Sequence, residues 1–194
     1  MKDDAEKVLI ESAQQWREWL AEHHATSPGI WLVMWRASSG KPHVTYEQAI
    51  EEALCFGWID GQSQTLDTER SALWLTRRRP GSGWSLLSKE RVARVEADGR
   101  MTDVGRAVID AAKEDGSWSR YDDADALVLP QDLLDAFGSR GGSREHWDAF
   151  SEAVRRGILR WIVDARRDVT RAARIEETAD LAEQGVPAHQ QVRR

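Results

Sequence analysis

Apolar residues recur at spacings of three and four from Val8 to His24, through Leu9, Ala13, Trp16, Trp19 and Leu20, which predicts an opening helix. Ser12 is an alternative start, because the leader before it is weak. Thr26-Ser27-Pro28-Gly29 ends the helix with two breakers. The period then disappears. Ile30–Trp35 is a continuous apolar run rich in aromatic and β-branched residues, as expected of a buried strand, and 37–42 is the loop after it. Thr45 and Gln48 have the spacing of a capping box. The helix they open, Tyr46–Phe56, should turn Ala49, Ile50, Ala53, Leu54 and Phe56 inward and Glu47, Glu51 and Glu52 outward, with Gly57 as its stop. Trp58–Asp67, with an Asp60-Gly61 kink, and Ser71–Thr76 read as two strands. The short polar link between them predicts an antiparallel hairpin.

The helical period returns at Leu86–Asp98, with Leu87, Val92 and Val95 inward, and again from Met101 to about Glu114. Residues 118–125 read as an irregular acidic link. Gln131–Phe137 is a short helix, and Gly138–Ser143 has the composition of a linker. Beyond it Trp147, Phe150, Val154, Ile158, Trp161, Ile162 and Ala165 keep the period, with a bend expected at Gly157. Asp168 should cap a last helix, Val169 to about Gln184, that Gly185 ends. The expectation is an α+β fold: a small antiparallel sheet of about three strands packed with helices, then an α-helical C-terminal region. Its parts would be a core domain at 1–138, a Gly/Ser linker at 139–143, a helical region at 144–185 packed on the core, and a flexible tail at 186–194.

Composition narrows the class. With 194 residues, 41% hydrophobic and 31% charged, the chain can bury a core without staples. No apolar run approaches the roughly 18 residues that span a bilayer, so no membrane insertion is expected. The N-terminus has no signal-peptide core, and the one cysteine, Cys55, cannot form an internal disulfide; both point to the cytoplasm. Net charge is −6, yet residues 77–106 hold eight basic against four acidic groups. A basic island in an acidic protein suits a small anionic or aromatic molecule, or a peptide, better than nucleic acid. Its plainer meaning is surface solubility. The arginines at 166, 167, 171 and 174 offer a DNA-associated alternative, but the acidic residues that follow make a salt-laced face the simpler reading.

The candidate site is the stretch from Trp58 to Ser85. Trp58, Trp74 and Trp84 flank turns and charges, so they could form an aromatic wall. Arg78 and Arg79 supply forked donors for an anion, and Ser82 or Ser85 could cap the following helix. Asp60 would be a counter-charge or hydrogen-bond acceptor in a binding site. In a cofactor-independent enzyme it would be the acid/base, with Arg78 and Arg79 stabilising an anionic intermediate. Cys55 falls at a helix C-terminus, the wrong end to lower a thiol pKa, and reads as a small buried hydrophobe. The five histidines are scattered and no metal-ligand spacing occurs, so neither metal nor cofactor is expected.

Several blocks together carry a resemblance: W-x-x-W-L at Trp16–Leu20, E-E-A-L-C-F-G-W-I-D-G at Glu51–Gly61, R-R-P-G-S-x-W-S at Arg78–Ser85, G-R-M-T-x-x-G at Gly99–Gly105, and W-I-x-x-A-R-R-x-x-T-R-x-x-R-I at Trp161–Ile175. Over about residues 10–185 the chain resembles the YdeI/OmpD-associated family, linked to bacteriocin protection and stress. The resemblance implies a bacterial cytoplasmic protein and carries no established reaction or catalytic residues. The chain departs from the family pattern at Arg77, Ser88 and Val169.

Overall fold

The structure is a computed structural model, and it describes residues 5–189; residues 190–194 of the expected tail lie outside them. The chain forms two compact units. The first comprises 1–82 with 87–118, and the second 83–86 with 119–194.

The first unit is built on a four-stranded mixed sheet of order β1-β2-β4-β3: β1 Lys7–Leu9, β2 Ile30–Trp35, β3 Trp58–Thr65 and β4 Arg70–Arg77. The α+β class holds, with one strand more than expected. Val8 and Leu9 belong to that extra strand, parallel to β2, rather than to the first helix. Helix α1 is Ala13–His23, and the Ser12 side chain accepts from Gln15 N at 3.1 Å as its N-cap. The hairpin β3–β4 is antiparallel, and its register shifts between Asp60 and Ser63, at the expected kink. Helix α2, Tyr46–Cys55, opens with the full Thr45/Gln48 capping box.

Pleating divides the sheet into two faces. Ile30, Leu32 and Met34 of β2 pair with Leu75, Leu73 and Ser71 of β4. The same face carries Trp58, whose Nε1 donates to His24 O at 3.2 Å and whose ring meets Trp19 of α1 edge-on. The opposite face carries Trp31, Val33, Ala72 and Trp74; the Trp31 and Trp74 rings meet edge-on at 5.5 Å.

Helices α3 (Leu86–Ala97) and α4 (Asp103–Glu114) follow. The expectation for α3 needs correcting at its start: Leu86 and Leu87 are exposed, and Arg91 is buried along with Val92 and Val95. Two of the three α2 acids also reverse their expected placement, while Glu47 stays partly exposed. Glu51 is 8% and Glu52 5% exposed, because both meet guanidinium groups from distant segments. Glu52 bonds Arg17 at 2.7 Å and Arg100 at 2.8 Å; Glu51 bonds Arg100 at 2.6 Å and Arg94 at 2.9 Å. Glu47 takes both Nη2 (2.6 Å) and Nε (3.0 Å) of Arg91, and also Arg94. Paired carboxylates can be buried where lone ones cannot. Gly105 lets α4 approach α2, since a Cβ there would lie 2.3 Å from the Cys55 carbonyl oxygen.

The second unit is helical: α5 Asp122–Asp125, α6 Gln131–Gly138, α7 Ser143–Ala149, α8 Glu152–Val163 and α9 Asp168–Glu183. Its core gathers Leu133, Phe137, Trp147, Ile158, Ile162, Ile175 and Ala179. The expected bend at Gly157 is displaced. Gly157 lies inside α8, and the break falls at Phe150–Ser151, where Phe150 is extended and Ser151 caps α8. The stretch expected as a linker is a turn inside this unit. There Ser143 is buried and its hydroxyl donates to the Arg140 and Phe137 carbonyls. Residues 122–125, expected to be irregular, form a helical turn around the buried Asp125. That carboxylate accepts Leu86 N at 2.6 Å and Arg160 Nε at 2.6 Å. Gly83 lies against Tyr121: a Cβ on it would be 2.4 Å from the ring.

Candidate functional site

A cavity of about 340 Å³ lies in the first unit, between the end of β2, the start of α2 and the hairpin. Met34 and Leu73 supply apolar side chains from one sheet face, Tyr46 an aromatic ring and Ser63, Ser71 and Thr45 hydroxyls, and Trp35 and Ala72 of the same two strands also line it. The 37–44 connection closes one side through Ala37, His43 and Val44. The sequence explains this shape. β2 runs apolar to its last residue, and the capping box fixes where α2 begins, so the connection must arch over the end of the sheet. A mostly apolar hollow with a few polar groups is the usual form of a small-molecule site.

The polar groups at its edges are held in place. Tyr46 is half exposed, and its hydroxyl donates to Asp60 Oδ2 at 2.7 Å across the start of α2. Partial burial, and then the Asp60 carboxylate, push the phenol up to about 12. The phenol therefore stays protonated and keeps donating through the physiological range. Trp35 Nε1 donates to Glu11 at 3.0 Å. Lys41 Nζ lies 3.8 Å from the centre of the Trp35 ring and 2.9 Å from Glu69 Oε2. Arg70, which bonds Asp67, is 5.8 Å from the same ring.

The residues expected to form the site are more dispersed. Trp58 is buried against α1, and Asp60 lies on its face of the sheet, beside Tyr46. Trp74 is on the opposite face, so the sheet separates it from Trp58 and Asp60. Arg78 is buried and donates its backbone N–H to Gly57 O at 2.9 Å. Arg79 is exposed, and its carbonyl accepts from the Ser82 backbone and hydroxyl in a closed turn. Trp84, which is buried, and Ser85 belong to the second unit. Cys55 is fully buried, and desolvation followed by the Glu52 charge pushes its thiol up to about 11, as suits a core residue. Among the described residues no group of three or more His, Cys, Asp or Glu could hold a metal. No helix in them is long and apolar enough to cross a membrane. Of the C-terminal arginines, Arg171 forms a two-bond pair with Asp132, and Arg174 bonds the Trp161 carbonyl and lies over its ring. Both are engaged within their own unit.

Two family models match the chain. Residues 8–108 match a domain of unknown function (DUF8412), and residues 126–185 match the family described as bacteriocin-protection, YdeI or OmpD-associated. The chain belongs to the first family and carries a domain of the second. The YdeI/OmpD-associated match takes in the Trp161–Ile175 block; the Trp16–Leu20, Glu51–Gly61 and Gly99–Gly105 blocks fall in the DUF8412 match. No curated protein and no solved structure gives a significant match.

The cavity thus belongs to the DUF8412 part of the chain. In the sequence Met34 and Trp35 read as part of a buried strand and Ala37 as the start of the loop after it. The available signal was the juxtaposition of an aromatic strand end, a Lys-Pro-His loop and a capped helix starting with tyrosine. That arrangement forces a hollow, but nothing local marks it as one.

Proposed function

We propose that this protein is a cytoplasmic binding module, and that its N-terminal unit takes a small, largely apolar or aromatic molecule in the cavity beside Trp35 and Tyr46. The observation that carries this reading is the cavity itself: about 340 Å³, lined by Met34, Leu73, Trp35 and Tyr46 and by the hydroxyl-bearing Ser63, Ser71 and Thr45. Ring stacking and apolar contact would supply affinity, and Ser63, Ser71 and Tyr46 would fix orientation. An enzyme built on Asp60 is less well supported. Its bonded neighbour is a phenol with a pKa of about 12, a weak proton donor or acceptor near neutrality.

The test is a screen of small aromatic compounds, read by the indole N–H signal of Trp35 in NMR spectra. Hits should shift that signal, and Ser71→Phe, which fills the hollow from β4, should abolish binding while leaving the fold intact. Hits that bind Ser71→Phe as well as the parent would place the site elsewhere and defeat the proposal.

A further inference from the structure

The polar side chains that line the cavity differ in what they can still offer a ligand. His43 Nδ1 lies 3.1 Å from the Lys41 carbonyl oxygen, which can only accept, so Nδ1 carries the proton and donates. In the neutral ring Nε2 is then an acceptor, and among the described residues it has no hydrogen-bond partner. The Tyr46 hydroxyl donates its one hydrogen to Asp60 Oδ2 at 2.7 Å, so towards a ligand its oxygen can only accept. Thr45 is closed into the capping box, where its hydroxyl donates to Gln48 Oε1 and accepts from Gln48 N. The indole N–H of Trp35, a donor only, is taken by Glu11. Ser63 and Ser71 can donate or accept and set no preference. Two side chains of the lining therefore call for a hydrogen-bond donor, and none is left that calls only for an acceptor.

The second observation is independent of the first and concerns charge. The described residues that line the cavity include no Asp, Glu, Lys or Arg. Charges on the adjoining chain satisfy one another: Lys41 pairs with Glu69 at 2.9 Å, and Arg70 with Asp67 at 2.7 Å. An ion drawn from water into such a lining meets no counter-charge, and an unpaired buried ion is costly. A neutral donor carries no such penalty. The apolar part of the lining fits the same kind of molecule. Met34 pairs with Ser71, Leu73 pairs with Ser63, and Ser71 and Leu73 are two residues apart on β4. All four therefore share one sheet face, with apolar and hydroxyl groups side by side.

We infer that the molecule taken by this cavity is an uncharged phenol or aromatic alcohol, with its ring against Met34 and Leu73 and its hydroxyl donating to His43 Nε2. His43 is then the residue that sets the preference for a donor. An anion of the kind suggested by the basic island in the sequence finds no partner here, because Arg78 and Arg79 are not in the lining. The inference rests on the cavity being the binding site, which is the function proposed above.

Four probes of one shape separate the two ideas: 4-methylphenol, 4-methylanisole, 4-methylbenzoate and 4-methylbenzylamine. At pH 8, above the range in which imidazoles ordinarily titrate, they are a neutral donor, a neutral acceptor, an anion and a cation. Each is titrated into the full-length protein and followed by calorimetry and by the methyl signals of Met34 and Leu73 in NMR spectra. 4-Methylphenol should bind about tenfold tighter than 4-methylanisole, and both ions more weakly than either. His43→Phe keeps a ring and loses the acceptor. It should bring 4-methylphenol down to the level of 4-methylanisole and leave 4-methylanisole unchanged, a selective effect that loss of folding cannot mimic. Equal binding of the two neutral probes, tightest binding of an ion, or a preference that survives His43→Phe overturns the inference and leaves the cavity reading standing. No binding by any of the four overturns the inference, and with no hits in the aromatic screen it overturns both.

Discussion

Glu51 and Glu52 occupy positions that a period-based reading turns toward water. Their burial depends on arginines at 17, 94 and 100, far away in sequence, which no local pattern can place. Desolvating a carboxylate costs several kcal/mol, and only near-ideal pairing offsets it. Glu47 shows the linkage to pH. Hydrogen bonding from Arg91, with the charges of Arg91 and Arg94, holds its carboxyl below the usual range. A carboxylate depressed in the folded state adds stability that is present above its unfolded pKa, about 4.3, and is lost as pH falls through the lower folded value. Urea midpoints should therefore drop between pH 7 and about pH 3, and Glu47→Gln should shrink that drop. An unchanged pH slope in the variant would show that Glu47 contributes nothing to it. The same limit applies at the cavity. Asp60 stood out in the sequence as a candidate, whereas Tyr46, which donates to it from fourteen residues earlier, looked like an ordinary helix start.

At the level of elements, the sequence showed most where the local signal is chemical as well as periodic. The capping box on α2, the strand Ile30–Trp35 and the hairpin all stand where the pattern puts them. It failed where an element is short or a face is ambiguous. β1 has three residues, too few to show alternation, and it exists because β2 offers it a parallel edge. Leu87 has the spacing of a core residue but lies at the exposed start of α3. The break before α8 was assigned to Gly157 on propensity, but a serine cap six residues earlier sets it. The first helix tests the weight of such caps: Ser12→Ala should cost about 1 kcal/mol in the unfolding free energy of the first unit. A loss below about 0.2 kcal/mol would mean that β1 positions α1 without the cap.

For the molecule as a whole, the sequence suggested a core and an appended helical region divided at a Gly/Ser linker. The structure divides instead near Trp118, and gives 83–86 to the second unit. Composition could not reveal this. The 138–143 stretch is Gly- and Ser-rich because it turns tightly between α6 and α7, not because it is loose. Gly83 is the position to probe. Gly83→Val puts side-chain atoms into Tyr121, an overpacking that typically costs about 1–3 kcal/mol. Hydrogen exchange should then quicken in α6, α8 and α9 while the amides of β2 and β4 keep their protection. Equal loss in both sets would show that the two units unfold together.

The excursion of 83–86 into the second unit also bears on synthesis. A ribosome delivers this protein from the N-terminus, and the first unit is complete once Trp118 has emerged. The Trp84 segment must wait longer: Asp125, which accepts Leu86 N, and Arg160, which bonds Asp125, arrive roughly 40 and 75 residues after Leu86, two to fifteen seconds at typical elongation rates. During that interval the nascent chain carries a tryptophan-bearing strap without the residues that will enclose it. Chains that stall or terminate before α8 would carry that strap permanently, and it is the natural handle for chaperones and for quality-control proteases.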